Sequence, residues 1–310
     1  MTESQPLPII PESPALEQSS IRGKRIEVAP GRHVKASVSV RKLEKRIVRL
    51  TAQAITDYGM IEEGDKVMVA MSGGKDSYVL LEALQKLQGR APIHFDIVAV
   101  HINQHIPGAP EHILREYLEH CGSPWHIEDQ DTNSIVRRLI PDGKNICSLC
   151  ARLRRGIIYR VSRELGCTKI ALGHQMDDVV STLLLNMFYG GRIKAMPPVL
   201  RNDAKTAIVI RPLIYVREYE TAKWAKIRNY PLMPKNLCGV SENKKRREIK
   251  ELIAEWDKKY DSRIYNLFMS TTRVAASQLS DKTLFDFSTF TRLSGNEVPG
   301  EPAEELAADE

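Results

Sequence analysis

The chain has 310 residues, and 42% of them are hydrophobic, which is enough to bury a sizeable core in one large domain with or without a smaller one. No run of about 18 apolar residues occurs and no apolar segment follows the N-terminus, so we expect neither a membrane span nor a secretory signal, and therefore a cytoplasmic protein. The net charge is +6, but residues 297–310 hold six acidic residues and no Lys or Arg; setting that −6 aside leaves +12 on residues 1–296. A body this basic is typical of a protein with a polyanionic partner.

Residues 1–38 hold five prolines among scattered polar residues, a composition that predicts a disordered N-terminal tail. Short apolar runs and amphipathic runs alternate after it. The predicted strands are 67–71, 95–102, 125–128, 169–173 and 207–210. The predicted helices are 41–58, 77–88, 111–120, 148–165, 177–189, 217–228, 242–258 and 262–269.

The alternation of strands and helices predicts an α/β fold, a Rossmann-like parallel sheet with helices on both faces, in a domain over 39–216. The mostly helical pattern that follows predicts a helical C-terminal portion over 217–293, which carries a cysteine of its own, and then an acidic disordered tail over 294–310. Ligands of such sheets bind at the carboxyl ends of the strands. Three loops are expected to meet at that edge: 72–77, 101–104 and 173–178.

The most informative motif is Ser-Gly-Gly-Lys-Asp-Ser at residues 72–77, between a predicted strand and a predicted helix. Two glycines let the backbone turn sharply and approach a ligand, and the amides and dipole at a helix start favour an anion. The motif is not the Walker loop, which has four residues between its first Gly and a Gly-Lys-Ser/Thr. It resembles the pyrophosphate loop of the N-type ATP pyrophosphatases, which split ATP between its α and β phosphates. The residues that this resemblance assigns to ATP are Ser72, Gly73, Gly74, Lys75, Asp76 and Ser77.

A second motif, Gly-His-Gln-Met-Asp-Asp at residues 173–178, ends one predicted strand and begins the next helix. Gly173 lets the backbone pass close to a ligand, and we expect it to bind the nucleotide together with His174. Asp177 and Asp178 are candidate Mg²⁺ ligands, although acidic residues at this position also simply cap helices. Asp76 has the same two interpretations. Because both motifs fall in one sheet, we favour the functional one.

Five cysteines in a chain without an expected signal segment favour metal binding or redox chemistry over disulfides. Cys147 and Cys150 form a CxxC at the start of a predicted helix, where the helix N-terminus favours thiolates, and Cys238 is a third candidate. The spacing alone leaves three interpretations open: a structural zinc site, redox or persulfide catalysis, and an iron–sulfur cluster held by three cysteines. Cys121 and Cys167 have no Cys neighbour and are interpreted as buried structural thiols.

Two basic clusters flank these cysteines in the sequence. Clusters of this kind contact phosphates and give salt-dependent nucleic-acid binding, although a charged run is often only a solvated face. The candidate contacts are Arg152, Arg154 and Arg155 in the first cluster and Lys244, Lys245, Arg246 and Arg247 in the second.

An ordered set of short motifs resembles the tRNA 2-thiocytidine synthetase family over roughly residues 40–290. Besides residues 72–77 and 172–178, the motifs are Asn103-Gln104 with Pro107-Gly108, residues 147–156, residues 185–191, Met196-Pro197-Pro198, Arg211-Pro212-Leu213, residues 236–239, Trp256-Asp257-Lys258 and residues 284–287.

This resemblance implies an adenine nucleotide α hydrolase-like fold, a homodimer, ATP with Mg²⁺, a [4Fe-4S] cluster and a cysteine desulfurase as sulfur source. It implies that Cys147, Cys150 and Cys238 are the cluster ligands and form the catalytic set with Lys75 and Asp76. The implied reaction is thiolation of C2 of cytidine 32 in tRNA, through an adenylated tRNA, with release of AMP and pyrophosphate. The basic clusters would then contact tRNA.

Two rival functions are considered. A tRNA 2-thiouridine synthetase shares the pyrophosphate loop, but more CxxC pairs would be expected, and this chain has one. A non-catalytic tRNA-binding or sulfur-carrier protein has no need of the intact loop at residues 72–77.

Overall fold

The computed structural model describes residues 25–29, 32–35, 38–141, 146–202, 204–234, 237 and 244–289, with side chains described within 38–288. The chain divides into two compact units, Met1–Phe268 and Met269–Glu310. In its described part the second unit contains the end of the last α-helix and two 3-10 helices, Ala276–Gln278 and Phe287–Thr289. The predicted acidic tail over 294–310 lies outside the described residues.

Regular structure covers most of the described part of the first unit. The strands are β1 (Arg25–Ala29), β2 (Arg32–Lys35), β3 (Lys66–Met71), β4 (Asp96–Asn103), β5 (Trp125–Asp129), β6 (Lys169–Ala171), β7 (Val199–Arg201) and β8 (Ile208–Ile210). The α-helices are α1 (Val38–Asp57), α2 (Lys75–Gln88), α3 (Glu111–Glu119), α4 (Thr132–Leu139), α5 (Cys147–Glu164), α6 (Met176–Gly190), α7 (Glu218–Arg228), α8 (Lys244–Lys259) and α9 (Arg263–Ser270).

Six strands form one sheet in the order β5-β4-β3-β6-β8-β7, and every neighbouring pair is parallel except β7 with β8. The predicted α/β fold is therefore confirmed, with an antiparallel edge strand added. The sequence does not predict β7, because this strand has three residues and is mostly exposed, so it carries no apolar alternation.

Two other elements differ from the sequence-based expectation. The short helix α4 begins after Asp131, whose side chain accepts a hydrogen bond from the Ser134 amide at 2.9 Å. Its eight residues are too few for periodicity to reveal. Strands β1 and β2 pair as an antiparallel hairpin within the segment predicted to be disordered, and the remainder of residues 1–37 lies outside the described part of the chain.

The centre of the sheet is β3, in which Val67, Met68 and Val69 are completely buried. Such a continuous apolar run is typical of a parallel strand covered on both faces. On β4, Val98 and Val100 alternate along one face and pack with Met68 and Val161 of α5 in a single cluster. The helix with the CxxC is therefore fixed to the sheet by its apolar side.

The order of the strands reverses at β3. The chain runs from β3 to β4 and β5 on one side and then returns to place β6 on the other side of β3. In open α/β sheets the crevice at such a reversal, at the carboxyl ends of the strands, is where ligands bind.

A buried carboxylate, that of Glu82, joins α2 to α7 and to the segment that follows α7. Glu82 is 7% exposed and accepts hydrogen bonds from Trp224 Nε1 at 3.1 Å and Arg228 Nε at 3.0 Å. The Tyr230 hydroxyl also donates to it, and Lys86 Nζ lies 2.7 Å from its other oxygen. Burial opposes the charged carboxylate, but the cations of Lys86 and Arg228 outweigh it and lower the pKa of Glu82.

Replacing Glu82 with Ala should lower the free energy of unfolding by about 3 kcal/mol, because two cations and two polar hydrogens lose their common acceptor. The matched control is Glu44→Gln, which removes a second and more exposed carboxylate from the same Lys86. We expect it to cost less than about 1 kcal/mol. Urea unfolding measures both, and equal costs would contradict the role given to Glu82.

Candidate functional site

A cavity of about 470 Å³ lies at the carboxyl ends of β3, β4 and β6. The structure brings both predicted nucleotide motifs to it, as the strand order requires. Seven of the predicted site residues line this cavity: Ser72, Asp76, Ser77, Arg154, Gly173, His174 and Asp178.

The two motifs touch at Gly173. A Cβ at this position would lie 2.9 Å from the carbonyl carbon of Asp76 and 3.1 Å from the amide nitrogen of Ser77. These are backbone atoms at the start of α2 and cannot move aside, so only glycine fits here. The loop after β6 is thereby held directly against the loop after β3.

The loop over residues 72–77 is closed by local hydrogen bonds and by one methionine. The Gly74 amide donates to Ser72 Oγ at 3.2 Å, and Ser77 Oγ donates to the Gly74 carbonyl at 2.8 Å. Gly73 has a φ of +75°, and a Cβ there would lie 2.2 Å from Met233 Cγ. Two features therefore require glycine at position 73: the left-handed backbone and the close contact with Met233.

The segment that bears Met233 is anchored to the same loop. The Met233 amide donates to the Gly73 carbonyl at 2.9 Å, and the Tyr78 hydroxyl donates to the Pro231 carbonyl at 2.7 Å. Leu237 lines the cavity and directly precedes Cys238, which lies outside the described residues. The sequence identified residues 236–239 but not the contact between Met233 and Gly73, since no local pattern links residue 233 to residue 73.

Lys75 stands between two carboxylates. Its Nζ lies 2.9 Å from Asp76 Oδ2 and 3.0 Å from Glu218 Oε1. Burial opposes its charge, but Asp76 and Glu218 outweigh burial and raise the pKa of Lys75. The ammonium is thus held charged beside the cavity, and Glu218 is a site residue that sequence reasoning missed.

The two neighbouring aspartates at the start of α6 have different environments. Asp177 accepts from Arg217 Nε at 3.2 Å and from the Glu218 amide at 2.7 Å, and it does not line the cavity. Its carboxylate is thus engaged in tying α6 to α7. Asp178 lines the cavity, and burial together with the nearby Asp76 and Glu218 raises its pKa to about 6. Of the pair, Asp178 is the one placed to meet a cation.

Two neutral histidines face the cavity. Burial, with Arg211 and Arg246 nearby, lowers the pKa of His174 to about 4, and its buried Nδ1 has no hydrogen-bond partner among the described residues. His101 at the end of β4 donates from Nδ1 to the Met71 carbonyl at 2.8 Å, and burial lowers its pKa. Its Nε2 is therefore a hydrogen-bond acceptor. The sequence places His101 at this edge but assigns it no role.

The CxxC occupies the first turn of α5, with Cys147 exposed and Cys150 half-buried, and neither cysteine is in a disulfide bond. Gln104, which lines the cavity, donates from Nε2 to Cys150 Sγ at 3.5 Å and to Thr132 Oγ1 at 2.7 Å. Arg154, one turn further along α5, also lines the cavity. The cysteine helix and the nucleotide loop therefore share one cavity wall.

Cys121 and Cys167 do not line this cavity. Both are half-buried, whereas the sequence predicted them to be buried, and neither forms a disulfide. Burial raises the pKa of both thiols, that of Cys167 to about 11. Neutral thiols of this kind are poor nucleophiles and poor metal ligands.

The predicted basic clusters are on the surface. Arg152, Arg154 and Arg155 on α5 are exposed, and so are the four basic residues at the start of α8, residues 244–247. Within the described ranges no group of three or more His, Cys, Asp or Glu side chains is arranged to hold a metal ion, and none of the helices described is long and apolar enough to cross a membrane.

Comparisons with known proteins agree with this architecture. A family model described as a PP-loop domain matches residues 41–233. A tRNA-cytidine(32) 2-sulfurtransferase of Burkholderia cenocepacia (strain HI2424) is 56% identical over 279 residues, which cover 90% of this chain and 83% of the relative. A protein of the same name from Paraburkholderia phymatum is 51% identical over 98% of this chain and 88% of the relative.

Among solved structures, the chain is similar to the U34-tRNA thiolase NcsA from Methanococcus maripaludis with its [4Fe-4S] cluster. The TM-score is 0.62 at 23% identity, with 76% of this chain and 79% of that chain covered. At this identity the likeness supports the fold alone.

Gly73→Ala should weaken ATP binding at least tenfold, because the new Cβ meets Met233 and because an L-residue at positive φ is strained by about 1–2 kcal/mol. The matched control is Gly74→Ala: its φ is −85° and its Cβ would meet only Ser72 Oγ at 3.3 Å. We expect ATP affinity within about threefold of the original protein for this control. Calorimetric titration with ATP measures both, and equal losses would contradict the importance of the Gly73–Met233 contact.

The free energy of unfolding of Asp178→Asn should increase relative to that of the original protein as the pH rises. A carboxyl with a folded pKa of about 6 keeps its proton more readily in the fold than in the unfolded chain, so the original protein loses stability between about pH 4 and 6. We expect the difference in free energy of unfolding to grow by roughly 2–3 kcal/mol between pH 4 and 7. Urea unfolding across this range measures it. A difference that does not change with pH would contradict the raised pKa of Asp178. The control is Asp177→Asn, which removes a charged partner of buried Arg217 and should destabilise the fold.

Proposed function

Because the chain belongs to the tRNA-cytidine(32) 2-sulfurtransferase family, we propose that it uses ATP to replace the C2 oxygen of cytidine 32 in tRNA by sulfur. The observation that carries this proposal is that Gln104 lines the nucleotide cavity and also donates a hydrogen bond to Cys150. An ATP-binding loop and a pair of thiols that share one wall are suited to an exchange that first activates an oxygen and then replaces it.

ATP is proposed to place its phosphates on the loop over residues 72–77 and the start of α2, where amides and the helix dipole favour an anion. The raised pKa of Lys75 keeps its charge available to the phosphates. Asp76 and Asp178 are the proposed Mg²⁺ ligands, since both line the cavity. Asp177 is not included, because it does not line the cavity and its carboxylate instead accepts from Arg217 and the Glu218 amide.

Activation is needed because the C2 oxygen of cytosine is a poor leaving group. Its attack on the α phosphate of ATP would form an adenylated tRNA and release pyrophosphate. Sulfur, reduced to the sulfide level by a thiol reductant, would then form a bond to C2, and AMP would depart with the oxygen. Positive charge around the phosphates stabilises the negative charge that develops on the departing groups.

The described cysteines fit one side of an iron–sulfur site. Cys147 and Cys150, neither of them in a disulfide bond, lie one turn apart at a helix N-terminus, which favours thiolates, and the cavity-lining Leu237 directly precedes Cys238. We propose these three cysteines as ligands of a [4Fe-4S] cluster, which when bound supplies an iron open to exogenous sulfur. Gln104 would hold the Cys150 sulfur in place through its amide.

The remaining partners follow from the same proposal. The exposed arginines of α5 and the basic start of α8 are proposed contacts for tRNA phosphates. A cysteine desulfurase is the proposed source of sulfur. We further propose that the protein is a cytoplasmic homodimer.

Nucleoside mass spectrometry of total tRNA tests the proposal in a strain that lacks this gene and is complemented with variants. Cys150→Ala should abolish 2-thiocytidine and reduce the iron content of the purified protein, because a proposed ligand is lost. Cys121→Ala is the matched control, since that thiol is half-buried and does not line the cavity, and it should retain both.

The same experiment separates the rival functions. Loss of a 2-thiouridine with 2-thiocytidine intact would identify a thiouridine synthetase instead. Full 2-thiocytidine in iron-free Cys150→Ala would rule out the cluster. Absence of tRNA-dependent AMP formation by the purified holoprotein would favour a sulfur carrier.

A further inference from the structure

An exposed apolar surface lies at the end of α6 that is remote from the cavity. Its members are 39–67% exposed: Met187, Phe188 and Tyr189 are consecutive near the end of α6, and Ile193 follows four residues later; we call these four residues the α6-end patch. Four large apolar side chains at this exposure within seven residues of chain are unusual, and concentrations of exposed apolar residues mark interaction sites. None of these residues takes part in the nucleotide site.

The backbone of the α6-end patch is held in a fixed shape. Gly191 ends α6 with a φ of +58°, and the Arg192 amide donates to the Asn186 carbonyl at 3.1 Å. The Asn186 side chain donates to the Lys194 carbonyl at 2.8 Å and to the Thr182 carbonyl at 2.9 Å. The patch is therefore presented preformed, which reduces the entropy lost when a partner binds.

Basic residues predominate around these apolar residues. Arg192 and Lys194 are exposed and have no acidic partner among the described residues. From α8, Lys245 Nζ lies 4.6 Å above the centre of the Tyr189 ring, while Glu248 accepts a hydrogen bond from the Tyr189 hydroxyl. Lys244, Arg246 and Arg247 extend the same basic surface. The arrangement combines aromatic rings with cations, the combination that binds unpaired bases and their phosphates.

We propose that the α6-end patch is a second contact site for RNA, in which Phe188 stacks on an unpaired base and Arg192 and Lys194 contact phosphates. A second copy of the chain is the less favoured occupant, because a self-complementary contact would bring six basic residues of each copy against one another. The basic surface also reaches toward the cavity, since Arg246 is close enough to His174 to lower its pKa.

This inference rests on the proposed function and deepens it, because it names where the substrate tRNA is held away from its reacting nucleotide. Helix α6 has 15 residues and is therefore about 22 Å long, so the patch cannot contact a base that lies in the cavity. It engages nucleotides about 20 Å from the target. Binding at the patch would therefore depend on how the RNA around the target nucleotide is folded.

Fluorescence anisotropy with a labelled anticodon stem-loop RNA and the full chain tests the patch. Phe188→Ala should weaken binding about tenfold or more, and Phe188→Tyr should retain it, because stacking needs a ring. Arg192→Gln combined with Lys194→Gln should lower the slope of log affinity against log salt by about 2.

Controls come from surface residues of the same unit. Tyr265→Ala removes an aromatic residue that is 51% exposed on α9, and Lys42→Gln with Lys45→Gln removes two exposed cations on α1. Both variants should leave affinity and salt slope unchanged.

Three outcomes would overturn the inference. The first is an unchanged RNA affinity of Phe188→Ala, and the second is an equal loss of RNA affinity in the control variants. The third is a change in the sedimentation coefficient of Phe188→Ala without RNA, which would assign the patch to contact with a second copy of the chain. Formation of 2-thiocytidine by the original protein is measured in parallel. Its absence would refute the proposed function while leaving the RNA contact as measured.

Discussion

The contact between Gly173 and the start of α2 is the constraint on which the site depends. Strand order reverses at β3, so the loop after β6 must pass directly beside the loop after β3. The two backbones approach so closely that a single Cβ would collide with the carbonyl carbon of Asp76. Because no side chain intervenes, Asp76 and Asp178 come to line the same cavity, although about a hundred residues separate them in the chain.

Two further connections extend from this contact to the cysteines. On one side, Gln104 at the end of β4 reaches the sulfur of Cys150. On the other side, Met233 packs on Gly73, and its segment continues to Leu237 at the cavity wall. The loop that we propose to bind the nucleotide and the thiols that we propose as cluster ligands are therefore both tied to the same edge of one sheet.

The ionisable residues of the site differ in charge state because their surroundings differ. Lys75 is held charged by two carboxylates, whereas Asp178 is destabilised in its charged form and would gain from a cation. His174 and His101 are kept neutral by burial, so they can accept hydrogen bonds from a base. Asp177 and Arg217 neutralise each other and join α6 to α7. In the sequence Asp177 and Asp178 are equivalent neighbours, and only their surroundings in the fold distinguish them.

Sequence alone determined the features that depend on neighbouring residues: the buried run of β3, the glycine turn before α2, the CxxC at the start of α5 and the basic start of α8. It also determined the parallel sheet, because strands and helices of ordinary length alternate. It did not determine β7 or α4, which are too short to show a period, nor the roles of Glu218, Met233 and Gln104. Those roles arise from contacts across more than 40 residues of chain, and only the folded backbone decides which distant side chains meet.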